Sequence, residues 1–333
     1  MENGEATGGG EEMKDRSAGL IAFGIVQIII GAFCALMAPF MVLGAIMAAT
    51  IEESASASTS PAMMIPGTLF YVVLAVWFIW MGIGSIKARR WARALLLVTS
   101  WMWLISGSVG LLLMAFLLPD LYDQMGDSGD LPAAMARVVM VFTMGFMAFF
   151  YVLLPGVYVA FYGSRHVKAT CERKDACVRW TDKCPLPVLA VSLTAAFCAV
   201  WVPAMGFYNW AVPCFGTILS GGSGAALMLV LMGLLVYVAR GTFRLSLAAW
   251  WCATLMIVAW GVSVGMTFMR TGLMGYYEKM QIPTEQLELM SQSKWMEGPV
   301  LVVFTVGWMV VIVAYLIYVR RYFVEAANKG EQQ

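Results

Sequence analysis

The chain reads as an all-α polytopic membrane protein, with eight transmembrane helices forming two tandem four-helix repeats of the same orientation. Three observations predict this. Apolar residues make up 61% of the 333 positions and charged residues 12%, against roughly 45–50% and about 25% in soluble domains. Eight stretches approach the ~20 apolar residues that a bilayer core requires. Three strings occur twice in the same order. AFCALMAP (Ala32–Pro39) returns as AFCAVWVP (Ala196–Pro203), MGIGSIKARRWAR (Met81–Arg93) as MGLLVYVARGTFR (Met232–Arg244), and VFTMGFM (Val141–Met147) as VFTVGWM (Val303–Met309).

Residues 1–18 are expected to be a disordered cytoplasmic tail. The leader is acidic and Gly-rich, and the apolar run after it is too long for the h-region of a signal peptide. Residues 19–165 form repeat A, with spans near Leu20–Ala48, Pro66–Ile86, Ala94–Leu118 and Ala133–Tyr162. Residues 166–184 form a basic cytoplasmic linker. Residues 185–323 form repeat B, with spans near Pro185–Phe207, Cys214–Ala239, Leu245–Met269 and Pro299–Tyr318, and residues 324–333 are a second cytoplasmic tail. Pro39 and Pro203 fall at matching places in spans one and five, and each is expected to kink its helix by removing a backbone donor. The stretch Thr284–Met290 has the pattern of a short external helix, with Thr284 as its cap.

Orientation follows from the loops. Lys87, Arg89, Arg90 and Arg93 lie between spans two and three. Arg165, Lys168, Arg173, Lys174, Arg179 and Lys183 follow span four, and Arg240 and Arg244 separate spans six and seven. The opposite side holds only Arg137, Arg270, Lys279 and Lys294 among the bases, with acids such as Asp120, Asp123, Glu278 and Glu285. The bias alternates with every span and places both termini in the cytoplasm. A four-span unit returns to its starting side, so two copies insert in one orientation about an axis along the membrane normal.

The chemistry available is limited. The centres of the spans carry no Asp, Glu, Lys, Arg or His, which argues against proton relays through carboxylates. His166 is the only histidine, and it shares the linker with Cys171, Cys177 and Cys184. The spacing H-x4-C-x5-C-x6-C lacks the close C-x2-C pair of zinc sites. The loop is therefore read first as a solvated basic segment with reduced cysteines, and a Cys3His metal site is the weaker reading. Ser220, Gly221, Gly222, Ser223 and Gly224 form a soft patch assigned to span six, either packing closely on a neighbour or lining a cavity. Ser106-x3-Gly110 and Gly261-x3-Gly265 are read as faces for close helix contact. No cofactor is expected. The net charge of +1 gives no footprint for nucleic acid.

The phrase KARRWAR ahead of a long apolar span resembles a loop-to-span junction of many small bacterial membrane proteins. That resemblance covers a few residues and implies no activity; the expected location is a prokaryotic cytoplasmic membrane. The expected function is that of a non-enzymatic membrane scaffold or accessory subunit, meeting the lipid bilayer and binding partner helices, lipid or a second copy of itself. The alternative is a transporter or channel for a neutral or hydrophobic solute, with a path between the repeats. An enzyme ranks last, because a lone loop histidine and acid-free spans leave few reacting groups.

Overall fold

The computed structural model of the chain describes residues 14–52, 64–127, 132–282 and 298–330. These are nearly all helical: α1 (Ser17–Glu52), α2 (Ile65–Ile86), α3 (Arg90–Asp127), α4 (Ala133–Ala148), α5 (Leu154–Gly163), α6 (Arg165–Lys174), α7 (Leu186–Trp201), α8 (Gly221–Phe243), α9 (Leu247–Lys279) and α10 (Gly298–Gly330). A π-helical turn, Phe149–Leu153, joins α4 to α5, and 3-10 turns cover Trp180–Lys183 and Val202–Tyr208. A two-stranded antiparallel hairpin, β1 (Val212–Cys214) and β2 (Thr217–Leu219), pairs Val212 with Leu219. Among the described residues eight helical stretches are long and apolar enough to cross a membrane, so the chain is a multi-pass integral membrane protein.

Two compact units are present, one of residues 1–30 with 77–182 and one of residues 31–76 with 183–333. In the first, the start of α1 and the end of α2 touch at glycine. A methyl group on Gly24 would lie 2.9 Å from the Gly82 carbonyl, and one on Gly82 would lie 2.8 Å from that of Gly24. Pro155 explains the π-turn before it. Proline supplies no amide to the carbonyl four residues back, and its ring crowds that carbonyl. The chain answers by widening one turn. The carbonyl in question belongs to Tyr151, and Gly107 of α3 makes room for it: a methyl at Gly107 would stand 2.5 Å from that oxygen. Gly110, expected to make the close contact in this span, has nothing within 4 Å of its methyl position.

In the second unit the core gathers Cys184, Val188, Leu189, Trp250, Leu316, Val319 and Phe323. The Trp250 indole donates to the Leu316 carbonyl at 2.7 Å, and Tyr315 donates to that of Pro187 at 2.8 Å. Both satisfy a polar tip inside an apolar cluster. Gly261 packs against Met309, whereas the Gly265 methyl position is open. Gly272, at φ 62°, breaks α9 into two segments.

Several expectations are corrected. Pro39 lies inside α1, but Pro203 ends its helix: α7 stops at Trp201 and a 3-10 turn takes over. Span six does not begin at Cys214, because residues 212–219 form the hairpin and α8 starts at Gly221. Span three does not stop at Leu118, because α3 runs on to Asp127. The linker is not a solvated loop, since α6 buries Val167, Thr170 and Cys171. The N-terminal tail up to residue 13 and the short helix expected at Thr284–Met290 lie outside the described residues.

The turns α2–α3 and α8–α9 share one hydrogen-bond pattern. In the first, Lys87, Ala88 and Arg89 donate their amides to Ile83, Ser85 and Gly84. In the second, Arg244, Leu245 and Ser246 donate theirs to Arg240, Thr242 and Gly241. The second donor of each run, Ala88 in one and Leu245 in the other, takes positive φ, 49° and 57°. Gly84 sits against the Ala92 methyl just as Gly241 sits against that of Ala249.

Candidate functional site

All four ion pairs among the described residues lie at one end of the first unit. Asp175 is their centre. It terminates α6, its amide bonded to the Cys171 carbonyl at 2.9 Å, and its side chain is 2% exposed. Arg179 reaches the carboxylate with Nε at 3.3 Å and Nη2 at 3.1 Å, a two-pronged grip, and Arg89 approaches at 3.5 Å. The backbone amide of Arg90, first residue of α3, donates to Asp175 Oδ2 at 3.3 Å. Burial acts to raise the Asp175 pKa, but the Arg179 and Arg90 hydrogen bonds and the nearby guanidinium charges outweigh it. The carboxyl is held below its ordinary value.

Asp182 supplies the second anchor. Its carboxylate accepts the Arg179 amide at 2.9 Å and stands 3.8 Å from Arg90 Nη1. Below this layer Ser85 Oγ donates to the Leu20 carbonyl at 2.9 Å and meets the Tyr162 hydroxyl at 2.7 Å, while Tyr158 donates to the Phe23 carbonyl at 3.1 Å. Arg93 has no carboxylate within 4 Å among the described residues. The Nε atoms of Arg90 and Arg93, Oγ1 of Thr181 and Nδ1 of His166 are buried without a hydrogen-bond partner.

The Cys/His set of the weaker reading is not gathered. His166 and Cys171 lie on α6, Cys177 is exposed, and Cys184 belongs to the core of the second unit. Among the described residues no three His, Cys, Asp or Glu side chains converge as metal ligands would. Burial pushes the thiols of Cys171 and Cys184 up to about 11. Both are protonated at neutral pH, and it is the thiolate that binds metal or attacks.

The small-residue patch heads α8. Ser220 is extended at its cap, Gly221 takes φ 59°, and a methyl on Gly224 would collide with the Trp210 carbonyl. Close packing is therefore realised at Gly224, while Gly222 faces open space. The hairpin beside it is clamped by α9. Ser263 Oγ accepts the Phe215 amide at 2.9 Å and donates to the Pro213 carbonyl at 3.0 Å, and Thr267 Oγ1 accepts the Gly216 amide at 3.0 Å. An open groove of about 380 Å³ runs between α9 and α10, with Gly265, Met266 and Met309 in its wall and Arg270 among its lining residues.

Sequence reasoning singled out the linker for its cysteines and missed its acids. The available signal was Asp175 and Asp182 standing within a run of Arg and Lys. The arrangement offers guanidinium groups positioned on a buried carboxylate, beside thiols that are protonated and neutral. Comparison with protein families, with characterised proteins and with solved structures finds no match.

Proposed function

We propose that the chain is a non-enzymatic membrane scaffold or accessory subunit that binds partner helices or lipid. One observation supports this above others. The spans Arg137–Gly163 and Val302–Asn328 bury only 6% and 11% of their most apolar windows, against 33% for α2 and α3. Large side chains stand clear of the protein on both, with Phe142 and Val303 each 74% exposed. In a bilayer such faces meet acyl chains or another helix, and helix association there depends on fit rather than on a hydrophobic driving force. The transport alternative draws no support from the Gly/Ser patch, which caps a helix and packs on backbone.

The proposal includes a tandem origin of residues 19–165 and 185–323. The paired turns support it and adjust the register: they match Gly84 with Gly241, and so Met81 with Val238 rather than with Met232. The charge bias of the loops supports a cytoplasmic location for both termini in a prokaryotic cytoplasmic membrane.

A photo-crosslinker at Phe142 or Val303 in native membranes tests the function. Adducts with a second polypeptide or with lipid at these positions, and none at buried Leu95, are expected. Purified chain in liposomes should pass no neutral solute above the protein-free rate. Solute flux would move the reading to the transport alternative.

A further inference from the structure

We propose that the first turn of α3 and the 3-10 turn at Trp180–Lys183 form a binding site for a phosphate-type oxyanion, the headgroup of an anionic phospholipid or free phosphate. The cluster is unbalanced in charge: Arg89, Arg90 and Arg179 pair with the carboxylates of Asp175 and Asp182, and Arg93 adds a fourth guanidinium with only Glu172 and Asp182 further off. Asp175 is consumed by Arg179, Arg89 and the Arg90 amide. Arg93 is left without an acid, and it senses Glu172 and Asp182 only at longer range.

The unsatisfied donors are what a phosphate would use. Arg90 and Arg93, three apart on one helix, share a face. Each has a buried Nε–H with no acceptor, and the Thr181 hydroxyl, in a residue 2% exposed, has no partner either. Buried donors of this kind are costly unless something accepts from them. Guanidinium groups match phosphate oxygens in fork geometry better than any other side chain. The place suits a headgroup, because Arg90 is the first residue of a membrane-crossing helix. Asp182 stands in the way, 3.8 Å from Arg90 Nη1. It is the group that an arriving phosphate would displace, so its charge opposes binding.

The test uses the full chain, purified in a neutral detergent and followed by thermal melting. One arm titrates inorganic phosphate against chloride at matched ionic strength. The other compares nanodiscs of phosphatidylcholine with nanodiscs containing phosphatidylglycerol. A rise in Tm with phosphate assigns a free-anion site, and a rise with phosphatidylglycerol alone assigns a lipid headgroup. A rise in neither arm overturns the proposal. Arg93→Gln should weaken the effective arm about tenfold, and Asp182→Asn, whose amide oxygen still accepts the Arg179 amide, should strengthen it. Lys174→Gln removes an exposed charge from the same end and should change nothing. Equal weakening by Lys174→Gln would show general charge attraction and defeat the proposal. Should Arg93→Gln fail to fold, the wild-type titration and the Asp182→Asn comparison decide alone.

Discussion

The carboxylate of Asp175 accepts the backbone amide of Arg90 at 3.3 Å, joining the end of α6 to the start of α3 across 85 positions of sequence. The bond satisfies one of the orphan amides at a helix start and places negative charge at the positive end of its dipole. Replacing Asp175 by Ala leaves Arg179, Arg89 and that amide unpaired. It should cost about 1–3 kcal/mol, read as a lowered Tm. The pH dependence has a definite sign. An unfolded aspartate titrates near 3.9, and the folded carboxyl lies lower. The native state therefore binds this proton less tightly than the unfolded state. The stabilisation is complete above the unfolded value and is lost as pH falls through the folded one. Asp175→Asn should flatten that acid limb, and an unchanged limb would place the effect elsewhere.

The hairpin should depend on two hydroxyls. Ser263→Ala removes the acceptor of the Phe215 amide, and Thr267→Val removes that of Gly216. Each should destabilise by about 1–3 kcal/mol and speed hydrogen exchange at those amides by at least tenfold. Exchange that stays slow in both variants would show that the strands hold the loop unaided.

The glycines of the α8 cap should separate. Gly224→Leu drives a side chain into the Trp210 carbonyl and should prevent folding. Gly222→Leu enters open space and should be tolerated, and Gly221→Leu should cost about 1–2 kcal/mol for its left-handed φ. Equal damage from Gly222→Leu and Gly224→Leu would contradict the packing described for this cap.

Reporter fusions should alternate in location. Those after Arg93, Lys174 and Gln333 should read cytoplasmic, and those at Ser58, Gly129 and Glu288 external, as the Lys/Arg bias requires. A cytoplasmic reading at Gly129 would overturn the orientation.

The eight spans were legible because a run of about 20 apolar residues is an integrated signal that no single substitution hides. What escaped was backbone detail set by partners distant in sequence. Nothing near Cys214 announces that Ser263 and Thr267 will hold it in a hairpin, so residues 214–219 read as the start of a helix. Pro39 and Pro203 look alike in sequence, yet one is carried inside α1 and the other ends α7. The residues around them supply no local rule to tell the two apart. The linker misled in a similar way. Cysteine and histidine are rare and draw the eye, whereas Asp175 gains its role only when α6 brings it to the start of α3.

The π-turn at Phe149–Leu153 also sets a rotational phase. An extra residue within one turn shifts all that follows by about 100° around the helix axis. Before it, Val138, Val141 and Phe142 face outward, and after it Tyr158 and Tyr162 face inward at 1% and 0% exposure. One continuous rod thus presents two differently aimed surfaces, set like a screw with a single skipped thread. Shortening this turn by one residue would restore the regular pitch and swing both tyrosines away from Ser85 and the Phe23 carbonyl. A membrane helix of this kind stores orientation in its residue count as much as in its side chains.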